Sequence, residues 1–90
     1  MEEIEWEFKA ENDKIYVNDL EVDVGGCYPK FTEREIFILK NRLGQKKMTL
    51  LAIGELYGVS KERIRQQYLN AIRKLKKRYT TWYMIRNQRR

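Results

Sequence analysis

Lys61, Glu62, Arg63, Arg65 and Gln66 set five hydrogen-bonding side chains directly after the corner Gly58-Val59-Ser60. The group has no catalytic pattern, but it has the donors and acceptors that read base edges. Gln bonds adenine bidentately, Arg or Lys bonds guanine, and Glu accepts from cytosine N4. A patch built only to attract polyanions would hold Lys and Arg alone, so Glu62 and Gln66 add discrimination. The plainer explanation is a solvated helix face held by i,i+4 pairs, each worth roughly 0.2–0.5 kcal/mol. Covalent and metal chemistry lack their residues. The chain has no histidine and a single cysteine, Cys27, so neither a thiol–imidazole nucleophile nor a typical zinc site can be assembled. No enzymatic activity and no cofactor are expected, and no role for Cys27 follows from the sequence.

These side chains need a scaffold, and the sequence marks one. Ser60 has N-cap chemistry for a helix that begins at Lys61. Its apolar positions Ile64, Tyr68, Ala71, Ile72, Leu75, Tyr79 and Trp82 recur every three or four residues and carry it to about residue 84. Ahead of the corner, Thr49 caps a short helix that turns Leu50, Ile53, Leu56 and Tyr57 inward and stops at Gly58. Short helix, glycine, β-branched residue, serine cap, basic helix is the order of a helix-turn-helix. Gly58 supplies the left-handed backbone, Val59 fills the gap, and small Ala52 and Gly54 permit close approach. Ile53 and Ile64 are spaced to touch across the corner. A further helix precedes the pair: Thr32 and Glu35 form a capping box. Ile36, Leu39 and Leu43 mark its stripe, Phe37 and Ile38 widen it, and Gly44 stands at C′.

The first thirty residues follow a different period. In EIEWEFKA, Ile4, Trp6 and Phe8 alternate with acids, which is a strand pattern. The turn residues of END and the Asn18-Asp19 linker then suggest a three-stranded antiparallel meander over 3–9, 14–17 and 20–24. The expected fold is mainly α, a helix-turn-helix of three helices with this small N-terminal β-meander. The expected division is an acidic appendage over 1–27 and a helical domain over 28–90 with an extended C-terminal helix.

Charge is divided the same way. Residues 1–30 carry nine acids and three bases, residues 31–90 four acids and sixteen bases. A basic half of this strength points to a polyanionic partner. A second basic run, Arg73 to Arg78, lies too far along the helix for the same bases; its start, Arg73, is in reach of phosphate. Lys40, Arg42, Lys46 and Lys47 are candidates to grip the backbone from the other side. No apolar run approaches the roughly 18 residues of a membrane span, and the N-terminus is acidic where a secretory leader is basic. The expected location is cytoplasmic, with no membrane contact.

The stretches TEREIFILKNRLG and TLLAIGELYGVSKERIRQQYLNAIRKLKKR resemble region 4 of bacterial sigma factors of the primary, housekeeping type. GVSKERIRQ followed by AIRKLK at the right interval is the specific part. The resemblance covers residues 31–78 and implies recognition of a −35 promoter element in the major groove of duplex DNA. By motif position it puts Lys61, Glu62 and Gln66 on base contacts and Arg63 and Arg65 on mixed backbone and packing roles. It puts Thr49 on a phosphate. With Ser60 and Arg73, these make the expected DNA-binding set. The resemblance also implies docking to the RNA polymerase β flap through the first helices and the concave side of the last. Departures are Leu51 and Ala52 where the family has acids, Tyr68 where an acid is frequent, Asn70 where Lys is frequent, and a shorter GQKKM loop. The chain has no room for sigma regions 2 and 3, so a stand-alone regulator of a bacterium or phage is expected. The competing expectation is a protein-interaction module that mimics region 4 to bind polymerase or a sigma factor. The meander is a candidate contact for such a transcription partner.

Overall fold

The computed structural model describes residues 5–25, 30–44 and 47–88, with side chains described to 81. Three strands, β1 (Phe8–Glu11), β2 (Lys14–Val17) and β3 (Leu20–Val22), precede three helices, α1 (Glu33–Leu43), α2 (Leu50–Tyr57) and α3 (Lys61–Gln88). The mainly helical fold with its small N-terminal meander is the one the sequence suggests. The strands pair antiparallel in the order β1-β2-β3. Two turns dictate that sheet. Asn12 and Asp13 have φ of 54° and 63°, Asn18 and Asp19 φ of 51° and 67°, the paired left-handed conformation of a two-residue hairpin turn. Asn and Asp tolerate it better than other residues with a side chain.

The first strand lies later than the expected 3–9, and the third ends at Val22 where 24 was expected. Register explains the shift. The Asn12-Asp13 turn sets Glu11 opposite Lys14, and counting back places Phe8 opposite Val17, where β2 ends. One further rung is made by a side chain: the Glu7 amide donates to Asn18 Oδ1 at 2.8 Å, and the Asn18 amide donates to the Glu7 carbonyl at 2.8 Å. Ile4 of the expected strand lies outside the described residues.

The sheet turns Ala10, Ile15, Val17 and Val22 onto Leu39 of α1 and onto Ala71 and Leu75 of α3. A second cluster joins Ile38, Ile53 and Ile64 across the three helices. Consecutive residues of α1, Ile38 and Leu39, are both wholly buried, one in each cluster. They form the centre of α1's apolar face, while Ile36 is only half-buried. Each such side chain contributes about 1.5–3 kcal/mol by leaving water. Tyr68 packs against both clusters. Trp6 stacks on Phe8 at 6.0 Å and meets Tyr79 edge-on at 5.5 Å, which extends the sheet-side core along α3.

Thr32 and Glu35 form the capping box of α1. Gly44 ends that helix in an extended conformation, not the left-handed one usual for glycine at C′. Glycine is needed there for space: a Cβ would lie 2.6 Å from the Lys40 carbonyl oxygen. α3 continues to Gln88, beyond the expected end near 84, so Thr80-Thr81 does not break it.

Part of the second basic run serves this architecture. Lys74 Nζ donates to both carboxylate oxygens of buried Glu35, at 2.8 and 3.0 Å, and to the Lys30 carbonyl at 2.8 Å. Arg78 donates to the carbonyls of Asp23 and Gly25. Both cations lie over the Phe31 ring, at 5.8 and 5.0 Å. Lys74→Met strands the Glu35 charge. It is expected to cost about 1–3 kcal/mol in urea unfolding, and the double variant with Glu35→Gln, which keeps the capping box, to recover most of that loss. Additive losses in this double-mutant cycle would refute the coupling.

Candidate nucleic-acid interface

The corner that presents the polar residues is made by two glycines with different duties. Gly58 closes α2 at φ 69°, ψ 32°, a left-handed position that costs a residue with a Cβ about 1–2 kcal/mol. Gly54 is buried, and a Cβ on it would stand 2.7 Å from the Val59 carbonyl oxygen. The Val59 amide donates to the Gly54 carbonyl at 2.9 Å, so the chain after the corner lies directly on this glycine. Val59 packs on the Ile38, Ile53 and Ile64 cluster, which ties the two helices together. Leu50 and Tyr57 pack there as expected, but Leu56 is 63% exposed. Two residues beyond Gly54, it leaves the helix on nearly the opposite side from the glycine that the chain after the corner lies on.

The two cap residues use their hydroxyls locally. Thr49 Oγ1 accepts from the Ala52 amide at 3.0 Å and Ser60 Oγ from the Arg63 amide at 3.1 Å. α3 then leaves the corner with Lys61, Glu62, Arg63, Arg65 and Gln66 all exposed. Helical spacing aligns Glu62, Arg65, Gln66 and Arg73 in one row, and Lys61 and Arg63 flank it. Arg73 stands eleven residues beyond Glu62, about 16 Å along the axis; its guanidinium approaches Asn70 Oδ1 at 3.5 Å.

Glu62 and Arg65 are joined. Arg65 Nη2 meets Glu62 Oε2 at 2.5 Å, and Nε bonds both oxygens at 3.0 and 3.1 Å. The bond from Arg65 holds the Glu62 carboxyl below its ordinary pKa, with the Arg65 and Lys61 charges adding to the effect. The same bond raises the Arg65 guanidinium above its ordinary value. The pairing is i,i+3 and not the i,i+4 arrangement of a solvated helix face. Its signal was present in the spacing of an acid and an arginine three apart.

The α1 cations have duties within the fold. Arg42 is half-buried, donates to the Met48 carbonyl at 2.9 Å and lies 5.9 Å from the Tyr68 ring, which fixes the approach to α2. Lys40 pairs with Asp13 at 4.0 Å. Lys47 is exposed, and Lys46 and Cys27 lie outside the described residues. Among the described residues, no group of three or more His, Cys, Asp or Glu could hold a metal ion, and no helix is long and apolar enough to cross a membrane.

Comparison with protein families gives a match to the description Sigma-70, region 4, over residues 30–77, more than half of the chain and the whole of the corner. No curated protein and no solved structure matches the chain.

The Glu62–Arg65 fork has a pH signature. A carboxyl with a depressed folded-state pKa contributes stability above its unfolded value and loses it as pH falls through the folded one. Followed by carboxyl-carbon NMR, Glu62 is expected to titrate below an ordinary glutamate. In Arg65→Ala its midpoint should move up towards the ordinary value, and an unchanged midpoint would show that Arg65 is not the cause.

Proposed function

The chain belongs to the sigma-70 region 4 family, and from that premise we propose that it recognises a −35-like promoter element by laying the N-terminal turns of α3 in the major groove. The family is a DNA-binding one of transcription. The finer reading rests on one observation: Lys61, Glu62, Arg63, Arg65 and Gln66 are all exposed at the start of a helix whose angle is set by buried Gly54. Gln66 and Lys61 have base-reading chemistry, and the Glu62–Arg65 fork offers acceptor and donor together. Thr49 and Arg73 bracket the row as phosphate contacts. Phosphate contacts position the protein, and base contacts specify the sequence.

DNA is favoured over polymerase mimicry by the packing of the meander. A mimic would dock through the apolar faces of α1 and the concave side of α3, and there Leu39, Ala71 and Leu75 are already buried under the protein's own sheet. Contact with polymerase has a separate basis in α2, where Leu51 is 56% and Leu56 63% exposed.

Fluorescence anisotropy with a −35-like duplex and a scrambled duplex tests the reading. The wild type is expected to prefer the first, and Gln66→Ala to reduce that preference by about 1–3 kcal/mol. Arg73→Ala should weaken both duplexes alike and lower the salt slope by about one unit. Equal affinity of the wild type for both duplexes, with a β-flap fragment still bound, would replace DNA recognition by the interaction-module reading.

A further inference from the structure

The exposed row on α3 contains one apolar member. Leu69 is 46% exposed and is absent from the residues packed on either core. Steps of three and four residues place it between Gln66 and Arg73, on the face that carries Glu62 and Arg65. A single exposed leucine is ordinary on a protein surface; this one interrupts a row of hydrogen-bonding side chains. Leu51 and Leu56 are more exposed, but they sit on α2, outside that row.

We infer that Leu69 packs against the C5-methyl group of a thymine in the major groove, so that the preferred sequence carries a thymine next to the base pair read by Gln66. The inference rests on the DNA-binding reading above. Leucine has no donor or acceptor and can discriminate a base edge only by shape and apolarity. In the major groove thymine alone among the standard bases offers a methyl group. The axial step from Gln66 to Leu69 is about 4.5 Å, comparable with the roughly 3.4 Å between successive phosphates of one strand along the DNA axis. Adjacent side chains of the row therefore address adjacent base pairs. The cations on both sides, Arg65 and Arg73, suit a polyanion and disfavour an apolar protein partner at this spot.

Deoxyuridine in place of thymidine removes this methyl and nothing else. The probe is the duplex that the wild-type protein enriches from a randomised library, resynthesised with each thymidine replaced in turn. At one or two positions the wild type is expected to lose about fourfold in affinity, the worth of one buried methyl-sized group. Leu69→Ala and Leu69→Gln should show no loss at those positions, and Leu69→Met should retain it. A circular-dichroism melt confirms that each variant is folded, and Leu69→Gln serves if Leu69→Ala is not. If the wild type is indifferent to every uracil, or if both variants keep the wild-type penalty, the inference is wrong while DNA recognition stands. If no duplex is enriched at all, the DNA reading falls and this inference with it.

Discussion

The turn after α2 closes because no side chain stands at position 54. A Cβ there would stand only 2.7 Å from the Val59 carbonyl oxygen, and the Val59 amide returns to the Gly54 carbonyl. Gly58 provides the change of direction, but Gly54 provides the distance. With the corner this tight, Ile53 and Ile64 meet with Ile38 in one dry cluster. The start of α3 is thereby aimed by packing, and its polar side chains need take no part in holding the angle. Interiors packed at crystal-like density have discrete arrangements and little continuous deformation, so an added methyl at this glycine would shift the whole tip.

α1 links this corner to the rest of the molecule. Ile38 faces the helix pair and Leu39 faces the sheet. Neither cluster is large, and a three-stranded sheet of this size is marginal without a surface to cover. The ion pair of Lys74 with Glu35 adds a polar fastening where the sheet-side core thins out. Its geometry is economical: the same carboxylate accepts the Thr32 amide and the Lys74 ammonium, so a buried charge is left with both hydrogen bonds and a counterion.

Local chemistry was legible and long-range chemistry was not. The caps at Thr32, Thr49 and Ser60, the two hairpin turns, and the pairing of Ile53 with Ile64 all depend on residues close in sequence or on a simple period. The bounds of β1 depend on where β2 ends, and that is a property of the partner. The exposure of Leu56 depends on which side of α2 meets α3. Period alone placed it inward, because an eight-residue helix gives too few turns to define a stripe. The basic run after Arg73 read as one cluster, yet Lys74 and Arg78 reach back 39 to 55 residues to α1 and to the segment after β3. At the tip of α3, the exposure of Lys61, Glu62, Arg63, Arg65 and Gln66 was legible from type and spacing. Leu69 falls outside the apolar stripe of α3, and nothing in its type or spacing marks it as part of a binding row.

The division of charge along the chain acquires a spatial meaning from these contacts. Three acids of the N-terminal part are paired, Asp19 with Lys9 and Glu21 with Lys14 within the sheet and Asp13 with Lys40 of α1. Backbone carbonyls take up Lys74 and Arg78. The sheet contacts α1 and the inner face of α3, while the tip of α3 lies across the corner beyond the second cluster. The N-terminal segment thus takes up Lys40 and Arg78, Glu35 of α1 takes up Lys74, and Lys61 and Arg63 stand exposed at the tip. At the tip itself the acid is Glu62, and the fork with Arg65 holds its carboxyl below the ordinary value. The result is a short positive surface with one fixed acceptor in it. On the proposed reading, net attraction to a polyanion would come from the first property and choice among base pairs from the second.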